Sequence, residues 1–146
     1  MENQKNTTNE LTNRVYENVR MASYAIDCII EKIKNKKLAE LLRKQNKYYL
    51  EMVEKTETFA KSMSLELKDI NPILKGMSFI SIKTKTLMNN DSPKLAEMLI
   101  QGTTMGVTDT LKALSEFNSK NEEITSLAND VVSHEEKFIN SLKEFL

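Results

Sequence analysis

The sequence contains no tryptophan, one cysteine, one histidine, two prolines and three glycines in 146 residues. A lone Cys28 excludes an internal disulfide and fits a reducing compartment, so it reads as a small packing side chain. With one His and one Cys, neither a Ser-His-Asp nor a Cys-His mechanism finds support. The scarcity of Gly leaves no phosphate-cradling loop. Few Gly and Pro also leave few breaks, which favours long helices. No run approaches the ~20 apolar residues of a membrane span. The opening MENQKNTTNE has no apolar segment of the kind a secretion signal carries. Lys plus Arg equals Asp plus Glu at 21 each, so formal net charge is zero. That balance gives no footprint for nucleic acid or an anionic membrane. The expectation is a cytoplasmic protein with no nucleic-acid or membrane partner. A homo-oligomer or a protein partner of unknown identity stays open.

What the sequence has is helical periodicity. Residues 1–7 are polar and read as a disordered tail; 8–146 read as a single all-α domain, long enough to bury a sizeable core. Thr7-Thr8-Asn9-Glu10 has the spacing of a capping box. It predicts a first helix to about Lys34, with Leu11, Val15, Val19 and Ile26 on its inner face. A second helix, about 36–63, carries Leu38, Leu42, Gln45, Tyr49, Met52 and Phe59 inward. Asn71-Pro72 reads as N-cap and first position of a shorter helix ending near Met88, with Lys75, Lys83 and Lys85 along its edge. A fourth helix, about 93–118, has Leu95, Leu99, Thr103, Gly106, Thr110 and Leu114 on its inner line. Ser119-x-x-Glu122 is a second capping box and opens the last helix.

Short joints make the first and second helices antiparallel neighbours, and likewise the fourth and fifth. The segment from 64 to 92 can span a helix of ~26 residues, about 39 Å. The architecture this predicts is a four-helix bundle with one long crossover that carries an additional short helix.

The last helix has one anomaly. Ile124, Ala128, Val131, Phe138 and Leu142 form its apolar stripe, and Glu135 lies at the centre of that stripe. An acid on a buried face needs a partner, a metal or a proton. Counting from the helix middles puts Tyr49 level with Glu135, with Gln45 and Thr103 within about one turn, ~5 Å along the axis. These four residues, Glu135, Gln45, Tyr49 and Thr103, form the candidate buried polar cluster. All but Glu135 are neutral, so burial should raise its pKa. Gly106 should face the core, where Ala would be neutral and Leu would overpack.

The stretch Lys94-Leu95-Ala96-Glu97-Met98-Leu99-Ile100-Gln101-Gly102-Thr103-Thr104-Met105-Gly106 resembles small bacterial members of the ferritin-like superfamily. Glu135-Glu136-Lys137-Phe138-Ile139 resembles the final-helix Glu-Glu-x-His-Ile segment of metal-binding members. The resemblance implies a ferritin-like bundle. In the superfamily's enzymes two metals are held by Glu on two helices and Glu-x-x-His on the other two. Here Phe138 stands where the His is expected. Gln45 and Tyr48 stand where the second helix should supply Glu and His. The first helix offers Asn18 and Val19 near its middle, and the fourth offers Thr103 and Gly106. One expected ligand remains, too few for carboxylate-rich coordination. The expectation is therefore a degenerate metal site with no metal, no cofactor and no catalytic residue.

Three functions compete. The leading one is a non-catalytic structural or interaction module on a ferritin-like bundle. The second is a metal-binding redox or storage protein that uses Glu135 with His134. The third is a small-ligand binder that uses the gap left by Gly102, Thr103 and Gly106.

Overall fold

The structure, a computed structural model, describes residues 2–74 and 92–146. Four long helices dominate: α1 (Glu2–Ile29), α2 (Lys36–Ser62), α3 (Ser92–Glu116) and α4 (Glu122–Leu142). Single 3-10 turns, Ile30–Lys32 and Lys143–Phe145, follow α1 and α4. The described residues contain no strand, so the fold class is all-α. No helix among them is long and apolar enough to cross a membrane.

The helix ends show where local signals operate and where tertiary contacts override them. α2 starts at Asn35, whose Oδ1 accepts from the Leu38 amide at 3.0 Å. It ends in a two-bond wrap, with Ser64 N–H donating to Lys61 O and Leu65 N–H to Ala60 O. That pattern needs a left-handed residue after the helix, usually Gly, and here Ser64 takes it with φ 53°. α4 is capped by Asn121, whose Oδ1 accepts from Ile124 N at 3.1 Å. Ser119, expected to be the cap, instead bonds Thr8 at 2.7 Å and accepts from the Asn121 amide.

The first helix also differs from expectation, because it begins at Glu2 and not near Thr8. Within the stretch expected as a disordered tail, residues 2–7 are helical and Gln4 is docked. Gln4 Oε1 accepts from the Lys120 amide, and the Thr8 hydroxyl meets Ser119. Of the pair with capping-box spacing, the Thr7 hydroxyl donates to Gln4 O one turn back and Glu10 lies 3.7 Å from the Lys68 ammonium, so neither caps a helix start. At its other end, α1 tightens to 3-10 geometry after Ile29, short of the expected Lys34.

Side-chain contacts set the helix directions. Ser23 donates to Asn46, while Asn13 reaches the chain just past α2, so α1 and α2 are antiparallel. Thr8 meets Ser119 and Asn18 meets Thr110, so α1 and α3 are antiparallel too. α2 and α3 therefore run the same way, and the end of α2 and the start of α3 lie at opposite ends of the helix set. Leaving α2, the chain is held by Asn13: its Nδ2 donates to Glu66 O at 3.1 Å and its Oδ1 accepts from Lys68 N at 2.7 Å. Ile70 and Leu74 are buried beyond that clamp. Residues 71–74 form one helical turn. The rest of the expected short helix, with Lys75, Lys83 and Lys85, lies outside the described residues.

One core joins the four helices, built on Val15, Val19, Leu42, Phe59, Ile124 and Val131 among others. α3 contributes the smallest side chains to it: its buried set is Leu95, Ala96, Thr103, Val107, Thr110 and Ala113. That imbalance decides where the interior is not filled.

Ser64 provides a test of the α2 terminus. Its left-handed backbone costs an L side chain roughly 1–2 kcal/mol, part of which Gly gives back as unfolded-state entropy. Ser64→Gly should therefore stabilise the protein by about 0.5–1 kcal/mol, read as a higher denaturation midpoint at unchanged slope.

Candidate functional site

Glu135 lies on the inner face of α4 and is 1% exposed. Two neutral donors hold its carboxylate. Asn18 Nδ2, from α1, donates to Oε1 at 2.7 Å, and the Tyr49 hydroxyl, from α2, donates to Oε2 at 2.9 Å. The Asn18 amide is anchored in turn on α3, within 3.2 Å of Thr110 Oγ1 and 3.5 Å of Gly106 O. All four helices therefore meet at one carboxyl group.

Gly106 makes this meeting possible. A Cβ there would overlap Asn18 Oδ1 and would lie 3.1 Å from Asn18 Cγ and 3.2 Å from Glu135 Oε2. The glycine faces inward as expected, but the expectation that Ala would be neutral there is corrected. Even a methyl group must displace the amide that binds Glu135.

Of the four residues expected to cluster, Glu135 and Tyr49 bond each other directly. Gln45 is buried beside the Tyr49 phenol, yet its Nε2 closes no hydrogen bond among the described residues. Thr103 is buried, but its hydroxyl donates to Leu99 O of its own helix at 2.7 Å and not to Glu135. The member that the cluster lacked is Asn18. Its signal was present, since Asn18 is the polar side chain near the middle of α1. It lies one residue from the apolar stripe, on the flank that faces α3.

Burial pushes the Glu135 carboxyl from the ordinary carboxylate range up to about 7, and the hydrogen bonds from Asn18 and Tyr49 pull it down part of the way. Burial, and then the charge of Glu135, hold the Tyr49 phenol well above its ordinary value, so Tyr49 remains a donor. Among the described residues no cation enters this balance.

A cleft of about 530 Å³ opens beside the carboxyl group. Its walls are α1 and α3, and its floor carries Tyr49, Glu135 and Phe138. Small side chains account for it: Ala22 and Ala25 face Gly102, Thr103 and Gly106 across the gap. Volume and lining fall in the usual range for small-molecule sites, mostly apolar with a few placed polar groups.

His134 is elsewhere. It is exposed and its ring lies tilted by 46° against Tyr48, centroids 3.7 Å apart, while the Tyr48 hydroxyl donates to Asp130 at 2.7 Å. This surface group shares no hydrogen-bonded partner with Glu135. The described residues contain no cluster of three His, Cys, Asp or Glu side chains able to hold a metal ion. The groups on Glu135 are an amide and a neutral phenol, which do not match the carboxylate and imidazole donors of a di-metal centre.

Comparison with known proteins finds no matching family model, no matching curated protein and no matching solved structure.

Two expected outcomes concern this carboxyl group. Because its folded pKa is raised from 4.5 to about 7, the folded state binds the proton more tightly than the unfolded state does. The stability this contributes is present in full below the unfolded value and fades as pH rises through about 7. The difference is on the order of 3 kcal/mol. Glu135→Gln removes the titration, and the Tyr49 oxygen can accept from the new amide. The variant should gain on the parent between pH 5 and pH 9 in chemical denaturation; a gap that stays constant across that range would show an anion held at all pH values. Gly106→Ala should cost about 1–3 kcal/mol through loss of the Asn18 contact, measured in the same way.

Proposed function

We propose that this chain is a non-catalytic ferritin-like helical protein whose task is to bind a small, largely apolar molecule in the cleft between α1 and α3. The observation that carries this reading is the cleft itself, with a buried carboxyl group in its wall. Helix order, antiparallel pairing and the opposite placement of the end of α2 and the start of α3 support a ferritin-like bundle with one long crossover. The donor set around Glu135 supports a degenerate metal site. Binding without chemistry then fits what is left: a preformed space, one orienting polar group and, among the described residues, no nucleophile or paired acid and base beside it. Residues for the site are Glu135, Asn18 and Tyr49 at the polar group, with Gly102, Thr103 and Gly106 shaping the space. A module that acts only through its outer surface draws less support, because the large exposed apolar side chains among the described residues, such as Leu50, Met105 and Leu111, are scattered over separate helices and turns.

Gly102 provides the test. A Cβ at this position finds no heavy atom within 4 Å, so a larger side chain enters open space. Gly102→Leu should also gain up to ~1 kcal/mol of helix propensity. The probe is N-phenyl-1-naphthylamine, an apolar dye that fluoresces when shielded from water. The parent should bind it saturably at one site per chain. Gly102→Leu should weaken binding by at least ~10-fold, equivalent to about 1.4 kcal/mol, with an equal or higher melting temperature. A dye that binds both proteins alike would place its site elsewhere and remove the main support for this function.

A further inference from the structure

The cleft has a direction. Its α1 wall runs from Arg14 to Ile29 and its α3 wall from Leu95 to Asp109. Because the helices are antiparallel, Asp109 lies at the Arg14 end and Leu95 at the Ile29 end. Polar groups gather at the first end: Arg14, Glu17, Asn18, Asp109 and Glu135. From Ala22 onward the α1 wall is apolar, and it faces Leu95, Met98, Leu99 and, from α4, Phe138. From Asn18 to Ile29 the wall extends ~16 Å along the helix. The lining thus passes from an apolar length to a polar end that includes the Glu135 carboxyl group.

The charge at that end is unbalanced. On α3, Asp109 is an acid; on α1, Glu17 is an acid and Arg14 a base. Arg14 is exposed, and its guanidinium stands 5.9 Å from the centre of the Phe117 ring, where it makes a cation–π contact. It is not a partner of Glu135. From α2 the carboxyl group meets only the neutral Tyr49 phenol, with Tyr48 behind it. On α4 its neighbours His134 and Glu136 are exposed. Asn18 and Tyr49 each take one position on one carboxylate oxygen, and each oxygen has a second lone pair. Among the described residues, a carboxylate so placed has donors but no countercharge.

We propose that the cleft takes a single-tailed amphiphile whose head is a protonated amine, seated on Glu135, with its hydrocarbon chain along the Ala22–Ile29 end. This rests on the ligand-binding reading above and names the ligand class. The ammonium supplies the missing positive charge and up to three N–H donors for the free lone pairs. An anionic head would instead face Glu135, Glu17 and Asp109 together. In the free protein near neutral pH the carboxyl group holds its proton part of the time. Docking of the ammonium displaces that proton to solvent, so binding releases protons and strengthens as pH rises.

The experiment is isothermal titration calorimetry of the full chain with three ten-carbon compounds below their aggregation limits: decylamine, decanol and decanoate. It is run at pH 5.5 and pH 8, in two buffers of different ionisation enthalpy, on the parent and on Glu135→Gln. Decylamine should bind the parent at pH 8 at least ~10-fold more tightly than decanol. That preference should shrink by ~10-fold or more at pH 5.5 as Glu135 takes up its proton. In Glu135→Gln both the preference and its pH dependence should vanish. If that variant does not fold, the pH series on the parent and the buffer-dependent proton release decide alone. Equal affinities for amine and alcohol at both pH values overturn the amine head and leave the cleft reading standing. Tightest binding of decanoate overturns it as well. Failure of all three compounds and of the naphthylamine dye shows a cleft closed to small molecules, and then both readings fall.

Discussion

The structure depends on one carboxyl group held by neutral donors inside a helical core. Burying an ionised carboxylate is costly, and hydrogen bonds from an amide and a phenol offset that cost only in part. The remainder appears as the raised pKa of Glu135. The group is also a point of registration. Asn18 of α1, Tyr49 of α2 and Glu135 of α4 must arrive at the same height, and α3 must present a residue without a Cβ there. A slip of one turn in α1, α2 or α4, ~5.4 Å, removes a hydrogen bond from the buried carboxyl group, and a slip of α3 removes the anchor of the Asn18 amide. The surrounding apolar contacts are less selective, because Leu, Val and Ile on adjacent turns can exchange neighbours. The polar contacts therefore specify the arrangement, while the apolar ones supply most of its stability.

The same constraint produces the cleft. Asn18 approaches Glu135 across α3 only because position 106 is a glycine. The small residues around it, Gly102, Thr103, Ala22 and Ala25, continue the gap along the α1–α3 seam. Where α1 meets α2, the interior is filled by Tyr49, Met52, Phe59 and branched aliphatics. Where it meets α3, it is not. The gap is open to solvent at its rim, through exposed residues such as Arg14 and Met105. It is thus an open groove and not an interior void, and the penalty that attaches to sealed cavities does not apply to it in full.

How much of this could be read from the sequence follows from the range of each interaction. The helices were legible because their apolar stripes repeat locally, and α2 and α3 start and stop within two residues of the periodic reading. Glu135 was legible because a charge in such a stripe breaks a pattern. The capping boxes misled because Thr7 bonds a carbonyl within a helix that already began at Glu2, and because the Ser119 side chain met Thr8 across the fold, a contact that no local rule contains. Asn18 stayed outside the cluster for a geometric reason. α1 packs against three helices, so its covered surface is wider than a single stripe, and a flank residue can be central to the whole. Thr103 failed in the opposite way. It lies at a suitable height, but a threonine hydroxyl in a helix has a carbonyl one turn back as a ready partner, and Leu99 O takes it. The near-contact between Gly106 and Asn18 was beyond any reading of one helix at a time, since a glycine does not reveal which side chain fills the space above it.

A lone carboxylate surrounded by neutral donors is suited to some charges and not to others. A divalent metal requires several anionic or imidazole ligands to replace its water, and here one oxygen pair is available. A proton requires only one, and burial makes the carboxyl group hold it up to about neutral pH. A ligand cation competes with that proton for the same lone pairs. It succeeds when its own loss of hydration is offset by the rest of the molecule, which an apolar tail lying along Ala22, Ile26 and Phe138 can do. The desolvation that makes the bare anion costly also means that any cation reaching it interacts through a medium of low polarity, where the attraction is stronger than in water. Burial, the raised pKa and the charge selectivity proposed for the cleft are thus three consequences of one placement: an acid on the inner face of α4, with no base bonded to it among the described residues.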